Sequence, residues 1–142
     1  MIKFNSPVYP ISPSFDENEK LELVSTIKYL NYILKQDGKI VMTTAGTSQY
    51  NLLSVDEVRS LNLCVVNNFK EQKIIGLPAL SLKHIKEEIE FLNTICKVED
   101  KNKISLLILF PERYYDDEQI VEYFKFRNIS KEHYDFLFKN SY

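Results

Sequence analysis

The sequence of 142 residues lacks several features that mark whole classes of protein. No apolar run reaches the roughly 18–20 residues that a membrane-spanning helix needs. The opening residues, MIKFNSPVYP, have no apolar core of the kind found in signal peptides, so we expect a cytoplasmic protein. With 18 basic and 20 acidic residues the net charge is only −2, and the basic residues are scattered. The sequence therefore predicts no membrane span and no nucleic-acid-binding surface.

Cysteine and histidine are equally scarce. The two cysteines, Cys64 and Cys96, lie in apolar helical patterns, and we interpret them as reduced core thiols rather than a disulfide or a metal pair. The two histidines, His84 and His133, have no cysteine or histidine neighbour at ligand spacing, which makes a zinc site improbable. We predict no metal and no cofactor.

What the sequence does contain is a regular alternation of short apolar runs and amphipathic stretches. A hydrophobic content of 44% suits one globular domain spanning residues 1–142. The predicted strands are residues 7–15, 39–44, 73–77, 104–110 and 134–138, with a helix between each pair. This order predicts an α/β fold with parallel strands joined by right-handed crossovers. Two architectures stay open: part of a (β/α)8 TIM barrel with outer helices, and a doubly wound flavodoxin-like sheet, which would reverse its strand order at a switch point.

Start and stop signals place the helices. Asp16 with Glu19, and Ser54 with Glu57, have the spacing of capping boxes, and Gly38 is predicted to end the first helix. The predicted buried faces of the three helices are, in chain order, Leu23, Val24, Ile27, Leu30 and Leu34; Val58, Leu61, Val65 and Phe69; and Leu82, Ile85, Ile89, Leu92 and Cys96.

One hydroxyl-rich loop, residues 45–49 (AGTSQ), stands between the second strand and the second helix. In both architectures ligands bind beyond the carboxyl ends of the strands. Gly46 allows close approach of the backbone, and the hydroxyls of Thr47 and Ser48 add donors near a helix start, which would suit a carboxylate. The alternative is that these hydroxyls only satisfy backbone groups in a tight turn. Tyr114 and Tyr115 follow the fourth strand. Either one of them presents a phenol to a proton relay or a neighbouring subunit, or both are amphipathic rim residues.

Three segments resemble the dihydrodipicolinate synthase and N-acetylneuraminate lyase family: SPVYPISPSFDENEKLELVSTIKYLNYIL, AGTSQYNLLSVDE and FPERYYDDEQIVEYF. They follow the order of the family's Thr-Pro-Phe, Gly-Thr-Thr-Gly-Glu and Pro-Tyr-Tyr motifs. The resemblance implies an aldolase-type (β/α)8 barrel in which a lysine of the sixth strand forms a Schiff base with pyruvate or another 2-oxo acid. It also implies that Gly46, Thr47 and Ser48 bind the carboxylate of that acid, and that Tyr115 or Tyr114 takes part in catalysis.

The chain also departs from the family pattern. Without gaps, Gly46 falls on the first threonine of the motif and Thr47 on the second; an alternative register puts Thr43 and Thr44 on that pair but needs an insertion before the helix. The sequence stops before the sixth strand, and Lys139 lies about one strand too early to be the Schiff-base lysine. We therefore expect a family-like protein that is inactive alone and that self-associates or pairs with a partner chain completing the barrel. The alternatives are a non-catalytic structural or small-carboxylate-binding protein, and an unrelated doubly wound domain.

Overall fold

The computed structural model describes residues 6–43, 52–77, 82–96 and 102–108. Strands and helices alternate along them: β1 (Val8–Pro10), α1 (Leu23–Lys35), β2 (Ile40–Met42), α2 (Val55–Asn68), β3 (Gln72–Leu77), α3 (Leu82–Ile95) and β4 (Ile104–Ile108). These residues belong to one compact unit, Phe4–Leu109; a second unit, Met1–Lys3 with Phe110–Tyr142, lies outside them, so the single domain stays a prediction. No helix in the described ranges is long and apolar enough to cross a membrane.

The described strands form one parallel sheet in the order β1-β2-β3-β4. Val8 pairs with Ile40, Ile40 with Gln72, and Lys73 with Ile104, so each strand lies beside its predecessor in the chain. Sequential order with a helix after each of the first three strands is the arrangement of a (β/α)8 barrel segment, and the doubly wound alternative is wrong. The fifth predicted strand, residues 134–138, lies outside the described ranges.

The second and third helices follow their sequence patterns. Every predicted core residue of α2, with its C-cap Phe69, is at most 2% exposed: Val58, Leu61, Val65 and Phe69. On α3 and the residue that follows it, the described members of the predicted face are also buried: Ile85, Ile89, Leu92 and Cys96. Cys64 and Cys96 are both buried and neither forms a disulfide, as predicted, and burial raises the pKa of the Cys64 thiol.

The start of α1 differs from the prediction. Asp16 and Glu19 do not form a capping box; instead, Asp16 Oδ1 accepts hydrogen bonds of 2.9 Å from the backbone N–H groups of Asn18 and Lys20. Glu19 has a φ of 60°, a left-handed value that belongs to a turn. The short polar stretch is therefore a turn closed by an aspartate side chain, and the helix begins only at Leu23.

Glu22 is the actual N-cap residue of α1. Its carboxylate accepts a hydrogen bond of 3.0 Å from the backbone N–H of Ser25, and hydrogen bonding by the side chain of Ser25 and then by its backbone lowers the pKa of Glu22. The buried face is also rotated from the predicted one, since Val24 is 57% exposed. The residues of α1 that are buried are Thr26, Leu30 and Ile33.

The end of α1 is a Schellman motif with an unexpected residue in the left-handed position. Asp37, not glycine, takes the positive φ of 58°, and its N–H donates to Leu34 O at 3.1 Å. The N–H of Gly38 donates to Ile33 O at 2.9 Å, which completes the motif. Gly38 is needed for space instead, because a Cβ added there would overlap the side chain of Ile33 and lie 3.1 Å from the ring of Tyr9.

Candidate functional site

The carboxyl ends of the strands are where a barrel of this type binds its ligands. The predicted ligand-binding and catalytic residues lie outside the described residues: Gly46, Thr47, Ser48, Tyr114 and Tyr115. Whether these side chains come together therefore stays a prediction. The structure describes both anchors of the loop 44–51, namely Thr43 before it and the start of α2 after it.

A buried polar network forms the first anchor. Thr43 directly follows β2 and is 0% exposed. Its hydroxyl donates to Asn62 Oδ1 at 2.6 Å and accepts from the backbone N–H of Gly76 at 3.0 Å. Asn62 Nδ2 donates to Gly76 O at 3.0 Å, which closes the network. Three elements, β2, α2 and β3, are thereby joined by side-chain hydrogen bonds at the end of the sheet that would face a ligand.

This network bears on how the loop compares with the family motif. The alternative register would make Thr43 one of the two threonines that face the substrate. The Thr43 hydroxyl already donates once and accepts once within the protein, and it is inaccessible to solvent. Its proton and one of its lone pairs are thus already engaged within the protein, which favours the ungapped register.

The second anchor is the first turn of α2, where the predicted capping box is confirmed. Glu57 Oε2 accepts from the backbone N–H of Ser54 at 2.8 Å and from its hydroxyl at 2.7 Å, while Ser54 Oγ accepts from the N–H of Glu57 at 3.3 Å. The backbone hydrogen bond from Ser54 lowers the pKa of Glu57. The positive end of the helix dipole thus already has a carboxylate beside it. The two acidic side chains of this first turn, Asp56 and Glu57, disfavour a further carboxylate beside it, so the amides ahead of the helix are the better donors for a ligand carboxylate.

Asn62 and the role of Thr43 were missed at the level of sequence. The signal was present, because Asn62 is a polar residue within the otherwise apolar run LNLCVV on the buried side of α2. A buried carboxamide needs partners for both its oxygen and its nitrogen. Among the described residues, no group of three histidine, cysteine, aspartate or glutamate side chains is placed to hold a metal ion.

The order of the strands and helices defines a class of fold: a segment of a parallel (β/α)8 barrel. No protein-family model matches the sequence, and no curated protein matches it. Solved structures do match the fold, and those described next are a lyase, a synthase and an aldolase.

An N-acetylneuraminate lyase from Mycoplasma synoviae is 17% identical with a TM-score of 0.67, over 85% of this chain and 42% of that one. A dihydrodipicolinate synthase from Rhodopseudomonas palustris is 15% identical with a TM-score of 0.72, over 93% and 40%. A variant of the Sulfolobus solfataricus 2-keto-3-deoxygluconate aldolase, solved as a pyruvate complex, is 15% identical with a TM-score of 0.66, over 84% and 39%. The chain thus spans about two-fifths of these structures, and the likeness establishes the fold.

Proposed function

We propose that this chain is a protein of the dihydrodipicolinate synthase and N-acetylneuraminate lyase type that binds a small 2-oxo acid, such as pyruvate, through its carboxylate. The observation that carries the proposal is the position of the two elements that residues 44–51 connect. β2 ends, in a parallel sheet of sequential order, at the edge where barrels of this type bind ligands, and the fold is shared with an N-acetylneuraminate lyase and with an aldolase solved as a pyruvate complex.

The composition of the loop supports a carboxylate ligand. Gly46 permits close approach of the main chain, and Thr47 and Ser48 each offer a hydroxyl donor as well as an amide. Because Asp56 and Glu57 place negative charge in the first turn of α2, the loop amides are the preferred donors for an anionic ligand. We propose that Tyr114 or Tyr115 supplies a phenol beside the bound acid.

We propose that binding to this chain alone is non-covalent. Among the lysines whose side chains the structure describes, Lys73 alone is buried, at 1% exposure. It is the second residue of β3, so it starts from the amino end of the strand, and its Nζ donates to Glu71 O at 3.2 Å. A Schiff-base lysine must present a free amine to the substrate carbonyl at the opposite, carboxyl end.

Pyruvate titration of the 15N-labelled chain tests whether the loop binds the acid. Pyruvate should shift the amide signals of Gly46, Thr47 and Ser48, and acetate should bind more weakly because it lacks the 2-oxo group. Thr47→Val should weaken binding by roughly tenfold, the equivalent of one good hydrogen bond. Thr94→Val is the matched control, since Thr94 is an exposed residue of α3 whose hydroxyl donates to its own helix.

Borohydride reduction in the presence of pyruvate, followed by intact-mass measurement, should leave the mass of the chain unchanged. Loop amides that stay still throughout the titration would show that the loop is only a turn. A stoichiometric adduct mapped to one lysine, with Lys73 the first to examine, would show that a covalent site exists in this chain.

A further inference from the structure

Beyond Thr43 N, the backbone groups of β3 that face β2 have side chains as their hydrogen-bond partners. Up to that point the ladder is regular: Met42 pairs with Ile74, and Thr43 N donates to Ile74 O at 2.9 Å. In a parallel ladder the next bond would run from Gly76 N to Thr43 O, and the one after from the residue two places beyond Thr43 to Gly76 O. Both backbone groups of Gly76 are bonded to side chains instead, its N–H to Thr43 Oγ1 and its carbonyl to Asn62 Nδ2.

The direction of every bond in this network is fixed by the groups themselves. The carbonyl of Gly76 can only accept, so the atom of Asn62 that faces it must be the nitrogen. The N–H of Gly76 can only donate, so Thr43 Oγ1 accepts from it and its own proton goes to Asn62 Oδ1. Asn62 is 2% exposed and has both ends of its carboxamide engaged. The two side chains therefore engage both backbone groups of Gly76, the residue of β3 that follows the last paired position beside β2 by two places.

We propose that Asn62 is a positioning residue: acting through Thr43, it fixes the point at which the chain leaves β2 and enters the loop 44–51. The loop is then tied to α2 at both of its ends, by Asn62 through Thr43 at the start and by the capping box of Ser54 and Glu57 at the finish. For the ligand that the loop binds, this inference rests on the proposed function.

Four variants separate positioning from plain stability. Asn62→Leu removes both carboxamide hydrogen bonds, and Thr43→Val removes the hydroxyl while keeping the shape of the side chain. Thr43→Ser keeps the hydroxyl and loses a methyl group, so it is the conservative rescue. Val66→Ala is the stability control, because Val66 is a buried residue of the same helix, at 4% exposure, outside the network. Urea denaturation verifies that the compared variants are folded under the conditions of the assay.

Pyruvate affinity and the amide spectrum are the two readouts. Asn62→Leu and Thr43→Val should weaken pyruvate binding by roughly tenfold or more, whereas Thr43→Ser and Val66→Ala should stay within about twofold of wild type. Asn62→Leu, which is remote in sequence, should shift the amide signals of residues 44–51 more than Val66→Ala does. If Asn62→Leu does not fold, the comparison of Thr43→Val with Thr43→Ser decides the matter in the same way.

The outcomes for the two proposals are distinct. If the wild-type chain binds no pyruvate, the proposed function is wrong. The positioning role of Asn62 would then be tested by the amide spectra alone. Movement of the 44–51 amides in Asn62→Leu but not in Val66→Ala would support the positioning role. Unmoved amides, or a pyruvate affinity that falls equally in Val66→Ala, would overturn it.

Discussion

The two single substitutions that break an ion pair between the second and third helices should lower the free energy of unfolding by very different amounts. Arg59 on α2 donates to Glu88 Oε1 on α3 from Nε at 2.8 Å and from Nη2 at 2.6 Å. The Glu88 side chain is only 3% exposed, whereas that of Arg59 is 34% exposed. The guanidinium also lies 5.5 Å from the ring centroid of Phe91, and the hydrogen bond with Glu88 raises the pKa of Arg59.

The two single substitutions differ in whether they leave a buried charge without its partner. Arg59→Met keeps an aliphatic stem against Phe91 but leaves the Glu88 carboxylate buried without its cation. Removing one partner of a buried pair costs roughly 3–5 kcal/mol, and the solvent access on the Arg59 side lowers our expectation here to about 2–3 kcal/mol. Glu88→Leu leaves no buried charge, and Arg59 keeps water and the exposed Asp56, 3.8 Å away, so we expect a cost of about 0–1 kcal/mol.

A double-mutant cycle measured by urea denaturation near neutral pH checks this reasoning. The double variant should recover most of the loss caused by Arg59→Met, which gives a coupling energy of about 2 kcal/mol. Asp56→Asn is the control, since Asp56 is 93% exposed and its removal should change the free energy of unfolding by less than about 0.5 kcal/mol. The reasoning is refuted if Arg59→Met costs less than Glu88→Leu, or if the two losses simply add.

Two further predictions concern the first two helices. Thr26 Oγ1 is buried on α1 without a hydrogen-bond partner in the described part of the chain. Thr26→Val should therefore raise the free energy of unfolding, measured by urea denaturation, by about 1 kcal/mol, whereas Thr94→Val on the exposed side of α3 should not. A loss of stability in Thr26→Val would mean that the hydroxyl has a partner. The pKa of Glu57 is lowered in the folded state by its hydrogen bonds with Ser54, so its contribution is complete above the unfolded pKa of roughly 4.3 and is lost as the pH falls through the folded value. The stability difference between wild type and Glu57→Gln, measured by urea denaturation at several pH values, should therefore change in favour of the variant below about pH 4, and a difference independent of pH would contradict this.

Helix faces could be predicted where the sequence allowed a single solution. Along α2 and α3 the apolar residues recur on one side and charged residues fill the others, so the pattern and the observed burial agree. Along α1 the apolar and aromatic residues include Val24, Tyr29 and Tyr32 as well as the true core, so the 3.6-residue period fits more than one face. The face that is buried in the structure has Thr26 at its centre, and the apolar periodicity gave no reason to prefer that face over the others.

The limits of the second strand show why the candidate site was harder to predict than the fold. The run KIVMTT predicted a strand over residues 39–44, because threonine is favoured in strands. The paired strand stops at Met42, and the next residue is the cause: the Thr43 hydroxyl takes the place of its own carbonyl in accepting from Gly76 N. That exchange depends on Asn62, 19 residues further along the chain, and on Gly76, a further 14 residues on. A polar residue on the buried face of a helix, such as Asn62, indicates that a hydrogen-bond partner exists. Which residue that partner is depends on the register of β2 against β3. The same threonine that argues locally for a longer strand therefore ends it, and it does so at the point where the proposed ligand loop begins.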